Sequence, residues 1–115
     1  MQMHDTPIFA RTYDMIAWLL PVTARLPRCR RHSLTERIEN AALDMLQLFI
    51  HANGSRGAER ARTLREADGQ LQYLLFLLRL AVNLGDLSRR QHGHVAARLA
   101  EIGKLLGGWL ASTRE

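Results

Sequence analysis

The sequence predicts an all-α protein, an up-down-up-down four-helix bundle in which each helix runs antiparallel to the next. Three observations predict it. Four amphipathic segments, at about 8–26, 34–52, 58–83 and 89–111, account for nearly the whole chain. No stretch alternates with the period of two that a half-buried strand requires. The connections are short, and short connections between helices make sequential neighbours antiparallel. With 115 residues, 47% of them apolar and 23% charged, the chain is expected to form one domain over residues 1–115.

The first segment opens at Thr6-Pro7, because proline is tolerated where helical amides have no partner. Phe9, Tyr13, Ile16, Leu20 and Leu26 are expected to share an inward stripe, widened by Met15, Trp18 and Leu19. Pro21 removes one backbone bond and predicts a kink or loosened turn near Ala17. Pro27 closes the segment. A loop over residues 28–33 follows; Ser33 or Thr35 is expected to cap the next helix, and Ser33 with Glu36 three residues later matches a capping box. Leu34, Ile38, Ala41, Met45, Leu48 and Ala52 then recur at spacings of four and three, a seam for helix packing. Asn53 and Gly54 stop this helix, the glycine being expected in a left-handed cap.

The third segment is the longest, at about 25 residues or ~38 Å. Ala61, Leu64, Asp68, Leu71, Leu75, Leu78 and Val82 line its predicted inner face, so Asp68 is expected to need a polar partner. Around Tyr73, Phe76 and Leu80 the helix is apolar on most sides. One buried stripe is all that an isolated bundle asks of a helix, so this surplus points to self-association. Arg79 interrupts that apolar stretch and is expected to pair across a subunit interface or to reach solvent. Asp44, Asp68, Asp86 and Glu101 are its candidate partners. Asn83, Gly85 and Asp86 end the helix. Ser88 caps the fourth, with Gln91 completing a second capping box. Val95, Leu99, Ile102, Leu106 and Trp109 form the last seam. Gly103, Gly107 and Gly108 each cost about 1 kcal/mol of helix propensity, which implies close approach of a neighbouring backbone or room for a large side chain such as Trp18 or Trp109.

Chemistry has few footholds. The single cysteine, Cys29, excludes an intrachain disulfide. It lies among Arg28, Arg30 and Arg31, which favours thiolate reactivity, but no acid or base at an identifiable spacing would orient it. His92 and His94 read as a surface pair without further ligands, and the Glu-x-x-His elements of a di-iron bundle are missing. No phosphate-loop or dinucleotide glycine pattern occurs. No metal, no cofactor and no enzymatic activity are expected. The amino-terminal residues lack a signal-peptide pattern and no window is apolar enough to span a bilayer, so a cytoplasmic protein without membrane association is expected.

Charge is the informative property. Basic residues number 16 against 11 acidic, for a net charge of +5, and fifteen of the 16 are arginine, whose planar fork matches phosphate. Arg28, Arg30, Arg31 and Arg37 cluster at the first connection, and Arg89 and Arg90 are expected to return to the same end. Arg56, Arg60, Arg62 and Arg65 form a second cluster at the start of helix three. Without interleaved aromatics, nucleic-acid binding would be mainly electrostatic and weakly sequence-specific.

Several short motifs carry a resemblance. They are Pro27-Arg28 with Arg31, Ser33-Leu34-Thr35 with Arg37-Ile38-Glu39, Leu77-Leu78-Arg79-Leu80-Ala81, Leu84 to Ser88, Gln91-His92, and Glu101 through Leu110. In order and spacing, from about Tyr13 onward, they resemble the accessory variability determinant (Avd) proteins of diversity-generating retroelements. These belong to a four-helix-bundle group related to 23S rRNA intervening-sequence proteins. The resemblance implies a pentameric barrel that binds the retroelement's reverse transcriptase, template-repeat RNA and DNA, and supports mutagenic retrohoming. Polymerisation then belongs to the reverse transcriptase. It also implies that Arg28, Arg31 and Arg37 contact nucleic acid or polymerase, and that Arg79 and the stretch from Gly103 to Trp109 serve bundle or subunit packing. The competing expectation is a structural bundle of the intervening-sequence type without a polymerase partner. A small metal or redox enzyme ranks third.

Overall fold

The structure is a computed structural model that describes residues 6–114. Its four helices are α1 (Pro7–Thr23), α2 (Glu36–Asn53), α3 (Gly57–Asn83) and α4 (Arg89–Ser112). Each packs against two others: α2 on α3, α3 on α4, α4 on α1 and α1 on α2. The body measures 43 × 23 × 19 Å, its long axis matching the ~40 Å that a helix of α3's length spans.

α1 starts as expected, with Thr6 extended and Pro7 in the first turn. Its inward face is rotated from the predicted one. Ile8, Phe9, Thr12, Met15, Ile16, Leu19 and Thr23 are buried, while Tyr13 is 69% exposed and Leu20 half-buried. Two threonines explain the shift. The Thr12 hydroxyl donates to the Ile8 carbonyl at 2.6 Å, and Thr23 lies 2.6 Å from Glu39 Oε2. With the hydroxyls satisfied, burying these side chains costs little, and a stripe sought among apolar residues alone misses them. α1 continues through Pro21 and stops at Thr23, short of the predicted Leu26. Pro27 disfavours helix at the residue before it.

The predicted loop is instead ordered as a 3-10 turn (Arg28–Arg30) and a π-helical turn (Arg31–Thr35) that run directly into α2. Ser33 therefore stands within a helical turn rather than at a free helix start. Its hydroxyl donates to the Arg30 carbonyl at 3.2 Å, the Ser33–Glu36 capping box does not form, and Thr35, helical in its own backbone, makes no side-chain cap bond either. The α2 seam holds through Leu34, Ile38, Ala41, Met45 and Ala52, but fully buried Phe49 takes the place expected of Leu48, which is half-buried. Gly54 has φ −91°, so it is not a left-handed cap.

On α3 the buried face is Ala61, Thr63, Leu64, Ala67, Leu71, Leu74, Leu77, Leu78 and Ala81. Asp68 is exposed, because the inward line passes through Ala67 instead. Small side chains at 61, 67 and 81 let the flanking helices approach. The helix ends in a Schellman turn. Gly85 has φ 78°, its amide donates to Val82, and the Asp86 amide donates to Ala81, both at 2.9 Å. The predicted Ser88–Gln91 capping box is present, with both bonds at 3.0 Å. Val95, Leu99, Ile102 and Leu106 are buried on α4 as expected, and Trp109 is half-buried, packed on Phe9 and Phe49 with ring centres 6.1 and 6.3 Å away. A Cβ at Gly103 would lie 3.3 Å from Leu71 Cδ2, so that glycine admits a neighbour. At Gly107 and Gly108 a Cβ would meet nothing within 4 Å, so the close approach expected there is not made within this chain.

Candidate nucleic-acid and partner interface

The first connection places its arginines in two ways. The 3-10 and π-helical turns present Arg28 and Arg31 outward, both exposed. Arg30 turns toward the α3–α4 connection, where its Nε lies 2.6 Å from Asp86 Oδ2. The Asp86 side chain is only 6% exposed. That bond and its charge raise the Arg30 guanidinium above its ordinary value. It acts as a tether between two connections. Three residues after Asp86, Arg89 and Arg90 begin α4, both exposed. Arg37, also exposed, donates to the Tyr73 hydroxyl at 3.2 Å, and this phenol raises the guanidinium.

The second cluster divides similarly. Arg56, Arg62 and Arg65 are exposed. Arg60 is committed to the fold: its Nε donates to the Ala52 carbonyl at 2.9 Å, Nη2 reaches Asn53 at 3.4 Å, and the guanidinium sits 6.0 Å from the Trp109 ring centre. It caps the carbonyl end of α2. Beside Arg62 a broad recess of about 560 Å³ between α2 and α3 includes Asp44, His51 and Glu66, and its carboxylates make it a poor phosphate site.

The apolar surplus of α3 lies outside the core. Tyr73, Phe76, Leu80 and Leu84 are exposed, Phe76 at 68%, and their spacing puts them on one helix face. Arg79 is exposed as well, so the chain buries no charge there. Two of its candidate partners are taken elsewhere, Asp86 by Arg30 and Glu101 by Arg11. Sequence reasoning missed a second exposed apolar set, Tyr13, Leu43 and Ile50 on α1 and α2. Its only signal was the surplus of apolar residues beyond one stripe.

Among the described residues no group of three or more His, Cys, Asp or Glu is placed to hold a metal ion. Cys29 is exposed, and His94 stacks on Trp18 at 4.4 Å between ring centres. No helix of the described chain is long and apolar enough to cross a membrane. Four packed helices whose outward features are charge and apolar surface place the chain among small all-helical proteins. The family model described as bAvd-like matches residues 8–113, and the chain belongs to that family, the Avd accessory proteins of diversity-generating retroelements. No curated protein matches the chain.

Proposed function

We propose that this chain binds the reverse transcriptase of its retroelement together with template-repeat RNA and the cDNA or DNA copied from it, and so supports mutagenic retrohoming. Family membership supports the polymerase partnership. The observation that carries the nucleic-acid part is the solvent exposure of Arg28, Arg31, Arg89 and Arg90 on two connections tethered by Arg30 and Asp86. Four phosphate contacts would give a log–log salt slope of about −3 on single strands. Arg37, at the start of α2, adjoins this surface, whereas Arg56, Arg62 and Arg65 lie at the start of α3 and form a second one.

The working form is a homopentameric ring in the cytoplasm, each copy a single antiparallel bundle. Phe9 beside both Phe49 and Trp109, with Thr23 bonded to Glu39, supports opposite directions for α1 and its neighbours. The α3 face of Tyr73, Phe76 and Leu80 supports self-association, and rings require head-to-tail interfaces. Arg79, Asp68, Gly107 and Gly108 lie outward, where a second copy would meet them.

Co-purification with the reverse transcriptase encoded beside this chain, with mass read by light scattering, tests the reading. The expected result is a stable complex containing a ring of about 65 kDa, five times 13.1 kDa. Substituting Arg28, Arg31 and Arg37 together by alanine is expected to weaken association while the ring persists. An intact oligomer that binds neither polymerase nor RNA would return the protein to the structural-bundle alternative.

A further inference from the structure

Two apolar faces lie on different sides of the bundle, and the chain covers neither. The first is the α3 ridge of Tyr73, Phe76, Leu80 and Leu84, 40 to 68% exposed. The second is a groove of about 250 Å³ between α1 and α2, lined by Tyr13, Ile16, Ala17, Leu20 and Leu46. Exposed Leu43 and Ile50 continue its α2 wall, since positions 43, 46 and 50 share one helix face. α1 and α3 stand at opposite corners of the bundle, because both pack on α2 and α4. One chain therefore cannot bring its ridge to its own groove. Apolar surface of this extent on a small chain marks an interface.

Each face carries a single charge, and the two are opposite. Beyond Asp68, α3 has only Arg79; beyond Arg11, α1 has only Asp14. Both are exposed, and among the described residues neither makes an ion pair. Arg79 stands near the middle of the ridge, so two ridges related by a two-fold axis would set it beside its own copy, where like charges repel. Pairing like faces would also leave the groove open. Ridge against groove buries both apolar sets and brings opposite charges together.

We infer that the α1–α2 groove is the docking site for the α3 ridge of a second copy of this chain, with Asp14 of one copy paired to Arg79 of the next. This pairing rests on the self-association reading above and adds to it which face meets which. The contact is head-to-tail, so every added copy leaves one ridge and one groove free until the ring closes. Spacing supports one register. Tyr73, Phe76, Leu80 and Leu84 step by three, four and four residues, as do Ala10, Tyr13, Ala17 and Pro21 on α1. In the up-down bundle proposed above, α1 and α3 run the same way, and copies around a ring axis set α3 of one beside α1 of the next in parallel. Matched step for step, Tyr73 meets small Ala10, Phe76 lies on Tyr13, and Leu80 enters the groove at Ala17. Arg79 then comes within one helical turn of Asp14, on the same side of the contact.

The test uses the full chain, with mass read by light scattering and helical content by circular dichroism. Ala17→Glu puts a charge in the groove at an exposed position and leaves the ridge intact. It is expected to dissociate the oligomer with helical content kept, and Phe76→Asp to do the same from the ridge side. Mixed one-to-one, the two variants retain one good groove and one good ridge between them. A heterodimer of about 26 kDa, twice 13.1 kDa, is expected. Asp14→Arg and Arg79→Asp are each expected to weaken assembly about tenfold, and the double variant to recover most of that loss. An Ala17→Glu oligomer as large as wild type overturns the docking and leaves self-association through another surface standing. So does a mixture that stays monomeric, or a double variant no tighter than either single one. A wild-type chain that is monomeric at every concentration overturns the self-association reading itself, and the docking with it.

Discussion

Replacing Arg60 by alanine separates structural arginines from those free to meet a phosphate. Arg60 belongs to the same sequence cluster as exposed Arg56 and Arg62, yet it is bonded to the Ala52 carbonyl at 2.9 Å and lies over Trp109. Truncation removes one good charge-assisted bond at a helix carbonyl end, worth about 1.5 kcal/mol. It also removes a cation–π contact worth about 0.5 kcal/mol. The longer contact to Asn53, at 3.4 Å, adds little. The expected loss is about 2 kcal/mol, which lowers the melting temperature of a domain this size by roughly 8 °C. Thermal unfolding followed by circular dichroism at fixed protomer concentration measures it, since self-association makes stability concentration-dependent. The RNA salt slope is expected to stay at its wild-type value in this variant and to become shallower by about 0.7 for each of Arg28 and Arg31 replaced. A variant that melts like wild type but loses RNA affinity as Arg28→Ala does would refute the structural assignment of Arg60.

Three further substitutions probe other features. Gly85→Ala places a side chain at φ 78° and is expected to cost about 1 kcal/mol, read by urea denaturation. Ser88→Ala breaks the capping box of α4 at a cost of about 1 kcal/mol, whereas Ser33→Ala, outside any cap, is expected to leave the urea midpoint nearly unchanged. Phe76→Asp puts a charge on the exposed α3 face. Light scattering is expected to show dissociation while helical content is retained, and an undisturbed oligomer would remove that face from the interface.

The helices were legible in the sequence because their signals are local. The period of α2, the Ser88–Gln91 box and the Gly85 stop each depend on residues within one or two turns of one another. The rotation of α1 was not legible, since Thr12 and Thr23 look polar until the acceptors Ile8 and Glu39 are seen to satisfy them. Asp68 failed as a core position for a related reason. Its periodic slot competes with Ala67, and only contact with two flanking helices decides between them.

The arginine clusters mark the other boundary. Composition and spacing alone determined an all-helical chain with an arginine-rich surface and more apolar residues than its own core needs. They did not separate Arg30 and Arg60 from their neighbours, because what distinguishes them is a buried carboxylate 56 residues away and the carbonyl end of another helix. Nor did they reveal the bond between Thr23 and Glu39, which exists only where the end of α1 meets the start of α2. Local pattern specifies which helices form; the burial of individual charges and hydroxyls is settled by partners that the folded chain brings together from distant positions.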